Sequence, residues 1–276
     1  MGENFDIHGG GQDLIFPHHE NEIAQSEGCS GQPFANLWIH HGFVTIKDEK
    51  MSKSLGNFLT IRDIRKHYHH EILRFFVFST HYRNPLDFSE SAMQDAATGL
   101  ERLYTVIAQC EAAITETTAT KQAATVISEK DLLKLQGVEE RFIKAMDNDF
   151  NTAQAQGIFF DTAKLISKIL RDLPETAAAE DITALANCIR KVKELAAVMG
   201  ILQEDANHWL AARKERLAAG LAISSAEIEE KIALRLQARK EKNWTESDRI
   251  RDELATFGVE LKDDAAGTSW SVKKQS

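Results

Sequence analysis

Residues 5–22 read FDIHGGGQDLIFPHHENE: a short strand, three consecutive glycines and then the start of a helix. Glycine has no Cβ, so the backbone of such a loop can approach a ligand closely, although a triple glycine is about as often a plain turn. Pro17 suits the first position of a helix, which would place His18 and Glu22 four residues apart on one face. The stretch therefore predicts a strand–loop–helix fragment of an α/β domain.

His18 and Glu22 are the first candidates for chemistry. An imidazole and a carboxylate at this spacing can share a zinc ion, but a surface pair is the commoner case and two ligands do not make a zinc site. Cys29, the only nearby cysteine, follows Glu22 by seven residues and is interpreted as a spectator. On these residues alone, both interpretations stay open.

The composition predicts a soluble, folded, acidic protein. The chain has 276 residues, 43% of them hydrophobic, with 33 basic and 42 acidic side chains and a net charge of −9. This charge argues against wholesale binding of nucleic acid or membrane, although a local basic face can hide in an acidic total. No apolar run approaches the roughly 20 residues of a spanning helix, and three scattered cysteines without a CxxC pair indicate a reducing cytosol.

The hydrophobic pattern changes along the chain. Glycine and histidine dominate residues 1–58, where 38–40 and 42–46 read as further strands. A period of 3.6 residues starts near residue 61 and predicts a helical bundle. The bundle helices are expected over residues 89–125, 129–146, 151–173 and 179–200. A final unit from about residue 206 should contain two helices, the second capped by Thr245, and a β-hairpin. The predicted fold class is mixed and mostly α.

A second polar cluster, KMSKSLGN, occupies residues 50–57. Lys50 and Lys53 lie three residues apart in a loop of small residues. Two such ammonium groups can gather phosphate oxygens and follow charge as it moves onto leaving pyrophosphate. Lysine–serine sequences are common on surfaces, but this pentapeptide at this place, after a strand and before the helices, is far more specific.

The pentapeptide at 50–54 matches the signature loop of class I aminoacyl-tRNA synthetases. Together with residues 5–22, STHYRNPLDFS at 79–89, MDNDFNT at 146–152 and residues 244–270, it makes the chain closely similar to the bacterial cysteinyl-tRNA synthetase family over essentially its whole length.

This resemblance implies an order of domains. Residues 1–60 would be the C-terminal part of a class I nucleotide-binding α/β catalytic domain, and 61–90 a stem-contact connector. Residues 91–205 would be a helical-bundle tRNA-binding domain, and 206–276 a small α+β anticodon-recognition domain.

The resemblance also implies a function. The family activates cysteine with ATP to cysteinyl-adenylate and transfers it to tRNA(Cys), and we expect a cytoplasmic monomer that binds no membrane. One zinc ion per subunit selects the substrate thiolate over a hydroxyl, because soft sulfur suits zinc, and ATP arrives with Mg²⁺. His18 and Glu22 resemble two of the four zinc ligands, the other two being cysteines nearer the N-terminus of the family's chain.

Further site residues are implied in the same way. His8, Asp13 and Trp38 resemble substrate-pocket positions, the role of Asp13 being only loosely assigned. Lys53 resembles the lysine that contacts ATP in the transition state, with Lys50 assisting. His40 and Val44 are expected to border ATP.

Near the C-terminal end of the sequence, a predicted basic helix is followed by an aromatic residue. Residues 213–251 hold ten basic and seven acidic side chains, and Arg235, Arg239 and Lys242 are predicted to share one helical face. Such a face can bind phosphate while Trp244 stacks on an unpaired base. A solvated helix with a core tryptophan is an equally good interpretation of the same residues. The resemblance matches four residues to anticodon reading: Arg239, Trp244, Asp248 and Asp263.

The chain departs from the family in one respect. The family carries a His-Ile-Gly-His-like motif and two zinc cysteines in a nucleotide-binding half, and this sequence contains neither. We therefore expect a catalytically incomplete fragment. The alternatives are a non-catalytic tRNA-binding fragment and the related ligase that joins cysteine to an amino sugar, which should lack a unit like residues 244–270.

Overall fold

The computed structural model describes residues 2, 4–46, 49–50, 59–264 and 267–272. Helices make up 65% of the chain, which confirms the mostly α fold class. The chain divides into two compact units, Met1–Gln203 and Glu204–Ser276, called here the first and second unit. In the described part of the chain, no helix is both long and apolar enough to cross a membrane.

The first unit begins with two paired parallel strands that are connected by a helix. Strand β1 (Phe5–Gly11) pairs with β2 (Ala35–His41), and helix α1 (Glu20–Ser30) lies between the two strands in the chain. Two short helical turns, Gln12–Leu14 and Ile15–His19, connect β1 to α1. The sequence predicts a helix from Pro17, and the helical backbone that leads into α1 does begin there, directly after a break at Phe16. The residue before a proline is pushed toward extended backbone, and Phe16 with φ −137° and ψ 135° breaks the helical run there.

A second small sheet follows. Strand β3 (Val44–Ile46) lies between β4 (Glu49–Lys50), to which it is antiparallel, and β5 (Leu86–Asp87), to which it is parallel. Helices α2 (Ile61–His67) and α3 (His70–Phe78) occupy the chain between β4 and β5.

The helical bundle fills the rest of the first unit. Its helices are α4 (Glu90–Glu116), α5 (Glu129–Gln136), α6 (Val138–Asp147), α7 (Thr152–Asp172) and α8 (Ala179–Val198), with a short parallel pair of strands, β6 (Thr118–Thr120) and β7 (Thr176–Ala178), at one end. The predicted helices at 89–125 and 129–146 differ from these. The first stops where β-branched threonines favour extended backbone, and the second breaks at Gly137, since glycine is a weak helix former.

The second unit has its own core. Helices α9 (Ala206–Ala218), α10 (Ser225–Lys240) and α11 (Trp244–Thr256) precede the hairpin of β8 (Val259–Asp264) and β9 (Gly267–Val272). The core residues share near-complete burial; they are Ala218, Ile223, Ile228, Ile232, Ile250, Leu254, Val259 and Trp270.

Three details of the second unit differ from the sequence expectation. Helix α10 ends at Lys240, so Lys242, with φ 58°, does not continue its basic face. Asn243, not Thr245, caps α11, because its side chain accepts a hydrogen bond from the backbone N–H of Glu246 at 3.2 Å. The strands are longer than predicted, so Asp263 lies in β8 and not in the loop.

Candidate functional site

The parallel pair β1–β2 brings histidines from three parts of the chain together. In the register of the strands His8 lies opposite Trp38 and Gly10 opposite His40. Alternate residues of a strand share a face, so Trp38 and His40 lie on one side of β2. Their rings are stacked, with centroids 5.9 Å apart and planes at 11°. We call His8, His18, His19 and His40 the imidazole cluster.

Glu22 on α1 joins two members of this cluster. Its Oε2 lies 3.0 Å from Nε2 of His8, and its Oε1 lies 3.2 Å from Nε2 of His18. The contact between His18 and Glu22 therefore exists as the spacing predicts. Glu22 Oε2 is buried and, despite its nearness to His8, has no partner with hydrogen-bond geometry. A buried carboxylate oxygen without a hydrogen bond is costly unless a proton or a cation meets it.

His19 is the member of the cluster that the sequence did not single out. It is only 3% exposed, and its Nδ1 lies 2.8 Å from Nε2 of His40. One of the two nitrogens must donate and the other accept, so at least one of the rings is neutral. Burial lowers the pKa of His40, and the nearby charges of His19 and Arg83 lower it further.

The glycine run makes room for the His19 ring. A Cβ on Gly10 would lie 3.0 Å from Cε1 of His19 and 2.8 Å from Cδ1 of Leu14. Side chains at this position would therefore push the imidazole away. The sequence contained a signal for His19, namely a triple glycine followed by two histidines. Its meaning depends on the structure, in which the His19 ring lies over Gly10.

The cluster offers a set of donors that suits a divalent metal. Ligand atoms of His8, His19 and Glu22 all lie within 4.8 Å of one another. Imidazole nitrogen and carboxylate oxygen are ligands that zinc accepts, and the unsatisfied Oε2 of Glu22 is the kind of atom a cation would engage. The residues present thus fit a zinc ion. His18 contacts the same carboxylate from the more exposed side, with 60% of its side chain accessible.

The other catalytic candidates are placed less completely. Asp13 is exposed in the turn after β1, and Val44, at the start of β3, is 40% exposed. The backbone of Lys50 pairs with Thr45, while Lys53 lies outside the described residues. The roles assigned to these four residues stay predictions.

In the second unit, Arg235 and Arg239 converge on one carboxylate. Arg235 donates two hydrogen bonds of 2.9 Å to Asp263, one to each oxygen, and Arg239 donates a third of 2.6 Å to Oδ2. Thr268 adds a fourth of 2.6 Å to Oδ1. These bonds, those from Arg235 foremost, hold the pKa of Asp263 well below its usual range. Arg235 is buried and Arg239 is partly exposed, so Arg239 is the guanidinium of this pair that solvent reaches.

The remaining two candidates, Trp244 and Asp248, lie on α11. Trp244 is 58% exposed, so it is not the core tryptophan of the alternative interpretation; Trp270, 8% exposed, fills the core. Asp248 is exposed and close enough to raise the pKa of Arg235, after Asp263 has done so more strongly. Sequence reasoning missed that Asp263 is bound by two arginines, because the pairing joins a helix to a strand 28 residues away.

Three family models match successive parts of the chain. The model described as the catalytic domain of tRNA synthetases class I (C) matches residues 1–98, and a DALR domain matches residues 141–203. The cysteinyl-tRNA ligase anticodon binding domain matches residues 224–270.

Similar sequences carry the same name. A cysteine–tRNA ligase of Desulfotalea psychrophila is 58% identical over 274 residues, and one of Geobacter sulfurreducens is 46% identical over 273 residues. Each match covers 99% of this chain and 55% of the relative. The chain therefore spans about half the length of the curated relatives it matches.

Solved structures share the fold. A methionyl-tRNA synthetase of Mycobacterium tuberculosis in complex with methionyl-adenylate gives a TM-score of 0.53 at 19% identity, over 74% of this chain and 43% of that one. A leucyl-tRNA synthetase of Agrobacterium radiobacter K84, in a ternary complex, gives 0.51 at 18% identity, over 73% of this chain and 28% of that one.

Proposed function

Because this chain belongs to the cysteinyl-tRNA synthetase family, we propose that it is the C-terminal part of a cysteine–tRNA ligase. The enzyme would activate cysteine with ATP and transfer it to tRNA(Cys). The observation that carries the proposal is the 58% identity to a cysteine–tRNA ligase along 99% of the chain. A shared fold alone would not support it, since one fold hosts many functions.

The imidazole cluster would hold a zinc ion through Glu22 and His18, with His8 and His19 beside them. The ion, when bound, would supply a soft Lewis acid that prefers a thiolate to a hydroxyl, and so favours cysteine over serine. His40 would hold His19 in one orientation through their 2.8 Å hydrogen bond. Trp38, whose ring lies 4.8 Å from that of His8, would close one side of the amino-acid pocket.

Adenylate formation would then depend on how the substrates are positioned and on how the charge of the phosphates is stabilised. The substrate carboxylate attacks the α-phosphate of ATP, and pyrophosphate leaves with Mg²⁺. Lys53 and Lys50 would stabilise the charge that gathers on the phosphates, with His40 and Val44 bordering ATP. The protein supplies no nucleophile of its own in this scheme.

The second unit would read the anticodon. Arg239, whose side chain is 39% exposed, would contact a phosphate or base, and Trp244 would stack on an unpaired base. Both oxygens of Asp263 already accept hydrogen bonds, so in this arrangement the residue orients Arg239. To accept from a base amino group, it would have to release one of these donors.

The exposed sheet favours an incomplete catalytic domain. Parallel sheets are usually covered on both faces, yet Ile7 on β1 is 59% exposed and Leu37 on β2 is 47% exposed. We propose that the rest of the catalytic domain covers these side chains. The three cysteines are free thiols, which suits the reducing cytoplasm where we place a monomeric enzyme.

A chimaera tests this function. The remaining part of the enzyme is taken from the Desulfotalea psychrophila relative and joined to this chain, and cysteine-dependent exchange of pyrophosphate into ATP is measured. We expect exchange with cysteine but not with serine, and its loss in Lys53→Ala. A chimaera that folds but shows no exchange would contradict the proposal, and wild-type rates in Lys53→Ala would reject the role of that lysine.

A second candidate is a tRNA-binding fragment without activity of its own. The observation in its favour is that the second unit has a complete core, formed by its own helices and hairpin. Binding of tRNA by this chain, combined with an inactive chimaera, would favour it. The ligase that joins cysteine to an amino sugar is disfavoured by the match of residues 224–270 to an anticodon binding domain.

A further inference from the structure

The turn between α6 and α7 is strained in a way that neither helix requires. Asp149 and Phe150 both adopt left-handed backbone, with φ 57° and 53°, and neither is a glycine. Aspartate tolerates this conformation better than most residues, whereas phenylalanine adopts it only at an energetic cost. The backbone N–H groups of Phe150 and Asn151 return to the carbonyls of Met146 and Ala145 at 2.9 and 3.1 Å, which ends α6 and holds the turn.

The turn directs the Asp149 carboxylate at the segment after α3. Oδ1 accepts a hydrogen bond of 2.7 Å from the Tyr82 hydroxyl, and Oδ2 accepts one of 2.5 Å from Nε of Arg83. A second guanidinium nitrogen lies 3.3 Å from Oδ1, and Nε2 of His81 lies 3.9 Å from Oδ2. Arg83, followed by Tyr82, holds the pKa of Asp149 at about 2, so the carboxylate is charged at neutral pH.

The backbone of the same segment supports the end of β2. The carbonyl of Tyr82 accepts a hydrogen bond of 2.8 Å from the N–H of Gly42, directly after β2, and that of Arg83 accepts one of 2.9 Å from the Gln12 side chain. A Cβ on Gly42 would lie 2.3 Å from the carbonyl oxygen of Asn84, so only glycine allows this approach. The segment is thus fixed by Asp149 through its side chains and packed on β2 through its backbone.

We propose that Asp149 is a positioning residue for the imidazole cluster. By fixing Tyr82 and Arg83, it sets the place of Gly42 and therefore of His40 two residues earlier, whose ring holds His19. The helical bundle in this way determines the geometry of a site built on the sheet. The effect on catalysis rests on the proposed function, whereas the effect on geometry does not.

The alternative is an ordinary ion pair. The Asp149 side chain is 43% exposed, and exposed ion pairs contribute little to stability. Breaking such a pair would lower the melting temperature slightly and leave the hydrogen bond from Gly42 to Tyr82 unchanged, although the altered charge around Arg83 would still reach His40. The two interpretations therefore differ in what happens at the Gly42 amide, and not in stability.

NMR of the 276-residue chain separates them. The variant is Asp149→Asn, because asparagine tolerates left-handed backbone and keeps the turn while removing the charge. Asp147→Asn, an exposed residue at the end of the same helix, is the matched control. We expect the Gly42 amide and the His40 ring nitrogens to shift in Asp149→Asn and in Arg83→Lys, and not in the control. A Gly42 amide resonance that is unchanged in both variants would overturn the proposal.

Kinetics of the chimaera give the second readout. A displaced His40 should lower the rate of cysteine activation by roughly ten- to a hundredfold, without changing the affinity for tRNA. NMR shifts together with unchanged activation would overturn the link to catalysis. An inactive wild-type chimaera would reject the proposed function instead, while the NMR result would still decide whether Asp149 positions the cluster.

Discussion

Glu22 carries the proposed metal site at the scale of single residues, because its two oxygens face different imidazoles. Replacing it by glutamine keeps the shape and removes the charge. We expect Glu22→Gln to weaken zinc binding by this chain at least about tenfold, since the ligand carboxylate is lost. Competition with a chromophoric chelator measures the affinity.

Glu20→Gln is the control for this prediction, because Glu20 is an exposed carboxylate on the same first turn of α1. Equal zinc affinities for both variants and the unaltered chain would contradict the assigned ligand.

Trp244 is expected to act in binding and not in folding. Its ring is 58% exposed, so Trp244→Ala should leave the melting temperature of the second unit nearly unchanged. A stacked base is worth about 1–3 kcal/mol, so the Kd for tRNA(Cys) should rise roughly 5- to 150-fold. Fluorescence anisotropy measures the Kd, and Leu234→Ala, another large exposed side chain at 55%, is the control. An unchanged Kd would remove Trp244 from the interface.

Asp149 gives a prediction on pH. Its folded-state pKa of about 2 lies below the ordinary 3.8, so its contacts with Tyr82, Arg83 and His81 stabilise the fold fully above pH 3.8. That stabilisation is lost as the pH falls through 2. The difference in melting temperature between the chain and Asp149→Asn should therefore shrink across this window. A difference that stays constant to about pH 2 would show that the carboxylate has no depressed pKa.

Single residues were predictable from the sequence where local spacing decides their position. A spacing of four residues predicts that His18 contacts Glu22, and it does. The same spacing predicts that Arg235 and Arg239 lie on one face of α10, and both contact Asp263. The contact between His19 and His40 was not predictable. It depends on the pairing of β1 with β2, and the hydrophobic period of a sequence does not show which strands pair.

Helix α11 offers a test at the scale of elements. Asn243 caps it, whereas Thr245 lies inside the first turn and is exposed. We expect Asn243→Ala to destabilise the second unit by about 1 kcal/mol, the usual cost of losing an N-cap, and Thr245→Ala to cost clearly less. Urea unfolding followed by tryptophan fluorescence measures both. The opposite order would restore the cap that the sequence pattern indicated.

Helices were predicted better than their ends. The 3.6-residue period located α7 and α8 within two residues, because a buried apolar stripe extends along each. The break at Gly137 was missed, since one glycine weighs little against a strong apolar stripe. The strand pair β6–β7 was also missed, because three-residue strands carry too few residues to show alternation.

At the scale of the whole molecule, net charge concealed the functional division. A total of −9 argues against wholesale binding of nucleic acid, yet the second unit pairs Arg235 and Arg239 with one carboxylate and also exposes Trp244. The exposed apolar side chains on β1 and β2 support the proposal that the catalytic domain includes a further part.

Binding of tRNA by the 276-residue chain tests the central claim most directly. Anisotropy titrations at low salt compare tRNA(Cys) with the same tRNA carrying a changed anticodon. A C-terminal part of a cysteine–tRNA ligase should bind tRNA(Cys) in the micromolar range or tighter, and each altered base should cost about 1–3 kcal/mol if stacking and hydrogen bonds read it. No binding, or equal binding of the two tRNAs, would contradict the claim.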